Sequence, residues 1–135
     1  PELADALPYL RKQSMQLASK MRYISAQLLA LLEDDRWRRA AAHANAMAAR
    51  LAAGVRSAVE ITQAVQANAV FAILPAEATE ALQREFKFYV WDEHTGEVRW
   101  MCSWDTTEED VDAFVAAILD VVAERAVAGP EHGGV

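Results

Sequence analysis

The sequence is short of positive charge. Lysine and arginine number 13 against 20 aspartates and glutamates, for a formal net charge of −7. A nucleic-acid binder needs a basic face to displace phosphate counterions, and an anionic lipid surface makes the same demand. Neither partner is expected. Cysteine is almost absent. Cys102 has no second thiol to pair with, so nothing suggests an oxidising compartment, and the expectation is a cytoplasmic protein. A nucleophilic cysteine needs a base beside it. His43, His94 and His132 are scattered along the chain, so Cys102 reads as a packed strand residue. No apolar run reaches the roughly 18 residues of a membrane span. The five glycines fall mostly at turns and in the last residues, and no G-x-G-x-x-G or P-loop exists. C-x-x-C, H-E-x-x-H and acidic calcium loops are missing as well, so no metal site is expected.

What is present is apolar. Hydrophobic residues make up 53% of 135 residues, too many for a disordered chain and enough to bury a core in one domain. The first residue is Pro1, and the chain opens directly into "PELADALPYLRKQ". We read it as a piece of a longer polypeptide.

Residues Tyr9 to Asp34 contain no glycine or proline. Leu10, Leu17, Met21, Ile24, Leu28 and Leu31 recur at spacings of three, four and seven, one face of a long helix. Asp34 and Asp35 interrupt it and either can cap a second helix, from about Arg36 to Ala53. Its stripe is Trp37, Ala40, Ala41, Ala44, Met47, Ala48 and Leu51, with Gly54 as the residue just past its end. The period then changes. "AVEITQAV" and "NAVFAILP" read as strands. A short helix from about Ala76 to Phe86 follows Pro75, with Ala78, Leu82 and Phe86 inward. "KFYVWD" and "EVRWMCSW" form a hairpin across "EHTG", where Gly96 can take positive φ. "DTTEEDVDAFVAAILDVVAE" is a closing helix with the stripe Val111, Phe114, Val115, Ile118, Val121 and Val122. Thr106 and Glu109 are spaced as its capping box. The order is α-α-β-β-α-β-β-α. It predicts an α+β fold with a small antiparallel or mixed sheet of about four strands and helices packed on one face. This domain covers residues 1–128, and a flexible tail covers 129–135.

One residue breaks the pattern. Strand side chains alternate faces, so Val98, Trp100, Cys102 and Trp104 share the buried face. Arg99, Met101 and Ser103 share the other. A guanidinium on a stiff strand suits bidentate capture of a carboxylate. The plainer alternative is a solvated arginine, or one paired with Glu97 or another acid nearby. The first helix is also basic, and Lys12, Lys20 and Arg22 can bind phosphate or simply solubilise it. The acids of "TTEEDVD" suit a helix N-terminus, where they complement the dipole.

Three segments together carry a resemblance. "LASKMRYISAQLLALLEDDRW", "QANAVFAILP" and "FYVWDEHTGEVRWMCSWDTTEEDVDAF" resemble the C-terminal part of the low-specificity L-threonine aldolase and β-eliminating lyase family. The likeness runs over roughly residues 8 to 122 and rests on the order and spacing of the three pieces. It implies the small C-terminal domain of an aspartate-aminotransferase-fold enzyme that uses pyridoxal 5'-phosphate. The implied reaction is retro-aldol cleavage of β-hydroxy-α-amino acids, threonine giving glycine and acetaldehyde. It implies dimers or tetramers with active sites at subunit interfaces.

By the same resemblance, Arg99 matches the arginine that binds the substrate carboxylate. Arg22 matches a basic position that reaches the cofactor phosphate of a neighbouring subunit. The glycine-rich stretch that precedes that position in better-known members is "QLASK" here, and Lys20 is an alternative to Arg22. The Schiff-base lysine belongs to a serine- and glycine-rich context on the large domain. Lys12, Lys20 and Lys87 lack that context. The chain is therefore expected to hold no catalytic residue, to carry no cofactor by itself, and to be inactive without the large domain. The competing expectation is a stand-alone α+β module that binds a protein or a small molecule without catalysis.

Overall fold

The computed structural model describes residues 2–128, so the tail expected at 129–135 lies outside the described residues. The chain forms two compact units, one up to Arg38 and one from Arg39 on.

The first unit holds α1 (Glu2–Gln13) and α2 (Met21–Leu32), and a 3₁₀ turn at Glu33–Asp35 leads out of it. The single long helix expected over Tyr9 to Asp34 is thus two helices. Met15, at φ 54°, ends the first. The Gln16 amide donates to the Arg11 carbonyl at 2.9 Å and the Met15 amide to Lys12 at 3.2 Å. That is a Schellman arrangement, a helix end usually built on glycine. Here methionine occupies the left-handed position, so no glycine announces the break. Asp34 and Asp35 also take positive φ, at 51° and 57°, and kink the chain where the sequence suggested an interruption. Every described side chain from Ala4 to Arg38 is exposed.

The second unit contains the core. The helix α3 (Arg36–Val55) runs into it and buries Ala44, Met47, Ala48, Leu51, Ala52 and Val55. The expected stripe began earlier, but Trp37 and Ala41 are exposed. Gly54 does not end α3. It lies inside the helix, where an added Cβ would sit 2.8 and 2.9 Å from the two methyls of Val115. Close approach of two helices, not a turn, requires glycine there.

The strands are β1 (Glu60–Ile61), β2 (Ala69–Ile73), β3 (Tyr89–Asp92) and β4 (Glu97–Met101), with α4 (Ala76–Gln83) between β2 and β3. They form one antiparallel sheet in the order β1-β2-β4-β3. Only two residues of the strand expected at 58–65 pair, at the sheet edge. In α4, Ala78 and Leu82 are buried as expected, and Phe86, just beyond its end, stacks on Phe114 at 4.8 Å between centroids. Gly96 turns the β3–β4 hairpin at φ 73°, and its carbonyl accepts from the Leu74 amide at 3.1 Å.

The closing helix is α5 (Glu108–Ala128). Val111 and Ile118 are buried, and Phe114, Val115, Val121 and Val122 pack against the core. Its cap lies one residue later than the sequence suggested. The Thr107 hydroxyl accepts from the Asp110 amide at 3.1 Å, and the Asp110 carboxylate accepts from the Thr107 amide at 2.9 Å. Thr106 instead receives the Ser103 amide at 2.8 Å. Arg50 ties α3 to α5 by a two-pronged contact with Asp112 and an ion pair with Glu108.

Candidate functional site

The register places unlike residues on the two faces of the sheet. Val70 lies opposite Trp100, and Ala72 opposite Val98, and all four are buried beneath the helices. Cys102 is buried with them, and burial pushes its thiol above the ordinary range. That disfavours the thiolate a nucleophile would need. Trp104 departs from expectation. The strand stops at Met101, and Trp104 lies past it in a turn, 71% exposed. A cavity of about 170 Å³ on this face is lined by Leu51, Trp100, Cys102, Asp110 and Phe114 among others.

Arg99 stands on the opposite face. Phe71 of β2 and Tyr89 of β3 lie directly across from it. Its guanidinium carbon is 4.6 Å from the Trp91 ring centroid and 5.9 Å from that of Tyr89. Trp91 meets Phe71 edge to face at 5.5 Å. The arginine Nε is buried and has no hydrogen-bond partner. Glu97, two residues away on the same face, accepts instead from the Thr62 hydroxyl. Among the described residues no carboxylate pairs with Arg99. The arginine is thus neither solvated freely nor neutralised. It lies in an aromatic bracket with its charge unspent.

Arg22 belongs to the first unit. It is the second residue of α2, exposed, and its Nη2 donates to the Tyr23 hydroxyl at 3.3 Å. Lys20 precedes the helix and makes no side-chain cap. Among the described residues no group of three histidines, cysteines, aspartates or glutamates is placed to hold a metal ion. Among the described residues, no helix is long and apolar enough to cross a membrane. The side chains around Arg99 escaped the sequence reading because they meet only through the register. Residues 71, 89, 91 and 99 come from three strands, and no local spacing connects them.

Relatives give this arrangement its context. The chain is 43% identical over 125 residues to the low-specificity L-threonine aldolase of Pseudomonas sp. (strain NCIMB 10558), covering 90% of this chain and 36% of that protein. To the enzyme of the same name from Pseudomonas aeruginosa it is 44% identical over 113 residues, covering 82% and 32%. This chain belongs to the low-specificity L-threonine aldolase family. It spans about a third of the length of those relatives. A solved structure of Leishmania major threonine aldolase superposes with a TM-score of 0.62 at 28% identity, over 69% of this chain and 28% of that one. No family model matches the chain.

Proposed function

We propose that residues 1–128 are the small C-terminal domain of a pyridoxal 5'-phosphate-dependent lyase. Its reaction is cleavage of β-hydroxy-α-amino acids, with L-threonine giving glycine and acetaldehyde. The carrying observation is Arg99, a bracketed guanidinium on a stiff strand with no acid to neutralise it. A substrate α-carboxylate supplies the missing charge, through a charge-assisted pair. The named relatives favour this over a stand-alone module, because both are aldolases in which such a sequence is part of a longer chain.

The residues present fit the edge of a cofactor site. Lys12, Lys20 and Lys87 are all exposed, and none has the enclosed setting that a Schiff-base amine needs. Arg22, an exposed guanidinium at the start of α2, fits the cofactor phosphate. Bound pyridoxal phosphate supplies the electron sink for breaking the Cα–Cβ bond. This chain's part is to hold the substrate carboxylate at Arg99 and, at a neighbouring subunit's site, to steady the cofactor phosphate at Arg22, with Lys20 as the alternative. The large domain of the same polypeptide supplies the catalytic groups. A cytoplasmic homo-oligomer, dimer or tetramer, completes the sites. The exposed Leu28, Leu29, Leu31 and Leu32 of α2 support a partner surface there, since side chains of that size rarely stay solvated in such number.

The test is Arg99→Ala in the full-length protein. Loss of a buried charge-assisted pair costs on the order of 2–5 kcal/mol, so KM for L-threonine should rise by about thirtyfold or more. The visible cofactor band should remain. An unchanged KM would remove Arg99 from the site.

A further inference from the structure

The aromatic bracket raises a separate question: what keeps the Arg99 guanidinium in one place. The side chain makes no ion pair among the described residues, and its Nε makes no hydrogen bond. A long side chain with that freedom would lose much of its entropy on binding a ligand. Its nearest aromatic ring is Trp91, and Trp91 sits at an irregular position. Val90 pairs with Val98 and Asp92 with Glu97, so β3 carries one residue more than β4 between those pairs. The extra residue is Trp91. A bulge of this kind re-aims its side chain and is a recurrent device beside functional sites. Here the indole lies 4.6 Å from the guanidinium carbon, and it also meets Phe71, the residue directly across from Arg99 on β2, edge to face at 5.5 Å.

We infer that Trp91 is a positioning residue for Arg99. The inference rests on Arg99 as the carboxylate-binding group. Two ways exist to hold an arginine still. An acidic neighbour would hold it and compete with an incoming carboxylate. An aromatic face holds the cation through its quadrupole without using its N–H donors. The structure uses the second way, and Glu97, the acid two residues along on the same face, accepts from the Thr62 hydroxyl and not from Arg99. Burial of Nε closes that edge of the guanidinium, so the two terminal nitrogens form the fork that meets a carboxylate. Tyr89, farther away at 5.9 Å, adds a weaker second face.

A double-mutant cycle in the full-length holoenzyme tests this. Trp91→Leu should lower kcat/KM for L-threonine about tenfold through KM, a loss in the range of a partly desolvated cation–π contact. Its kcat should stay within about twofold of the parent's. Trp91→Phe and Trp91→Tyr, which keep a π face and suit a half-exposed position, should lose about threefold or less. In the Arg99→Ala background all three substitutions should have no further effect, because a positioning residue acts only through the group it positions. If Trp91→Leu leaves KM intact while Arg99→Ala raises it, the inference falls and the carboxylate reading stands. A loss that persists undiminished in the Arg99→Ala background likewise makes Trp91 merely structural. If Arg99→Ala itself changes nothing, the carboxylate reading fails and takes the inference with it.

Discussion

Arg99 and Trp100 are adjacent on one strand and have opposite surroundings. Trp100 points under the helices, where it meets Phe88 and Phe114 edge to face at 6.3 and 5.4 Å. Arg99 points to the opposite face, beside Met101 and Trp91, which are 58% and 54% exposed. On the covered face apolar residues from α3, α4, α5 and the sheet pack on one another, and the Trp100 indole N–H is buried there without a hydrogen-bond partner. The open face is incomplete, with an unpaired cation and large apolar groups in water. Stability should therefore depend on one face and recognition on the other, although the residues involved alternate along the same five-residue strand.

The sharpest way to break that division is to truncate both neighbours. Trp100→Ala should destabilise the chain by about 3–5 kcal/mol, the cost of an emptied aromatic site in a core. Arg99→Ala should cost less than about 1 kcal/mol, since it removes only two half-exposed cation–π contacts. Urea unfolding monitored by circular dichroism would measure both from midpoints at constant slope. Comparable losses at the two positions would show that the open face is structural after all.

A smaller effect sharpens the account of the covered face. Gly54→Ala places a Cβ within 2.8 Å of a Val115 methyl. Valine is stiff at χ1 in a helix and cannot swing aside. Overpacking of about 1–3 kcal/mol should outweigh the roughly 1 kcal/mol that alanine gains in helix propensity. Adding Val115→Ala should relieve the clash, so the double variant should be more stable than the two single losses predict.

Legibility in the sequence followed the same division. The covered face was readable because burial imposes a period: Val111 and Ile118 at helical spacing, Val98 and Trp100 at strand spacing. The relation of Arg99 to the uncovered face was readable for the same reason. What surrounds Arg99 was not, because Phe71, Trp91 and Tyr89 reach it across strand pairings and a bulge that no local pattern encodes. The break after α1 was hidden by a methionine in a left-handed position where the usual sign is glycine. Trp104 misled because alternation was carried past Met101, where the ladder stops. Family resemblance rested on extended segments, and so survived these local errors.

The smallest effect concerns the start of α5, where two neighbouring threonines compete for one role. The sequence favoured Thr106 with Glu109, and the structure uses Thr107 with Asp110. Thr107→Ala should cost about 1 kcal/mol, the usual loss of a cap, and Glu109→Ala much less. The pairing also has a pH signature. The Thr107 amide and hydroxyl both donate to the Asp110 carboxylate and hold its pKa below the ordinary 3.8. A folded-state pKa lower than the unfolded one gives stability that is present above about 3.8 and lost as pH falls through the lowered value. Asp110→Asn should therefore melt below the parent at neutral pH. The gap should narrow below pH 3.8, as the parent's carboxylate takes up its proton. Melting curves from pH 7 down to pH 2 would follow it. A gap that stays constant across that range would mean that the Asp110 charge contributes nothing to the cap.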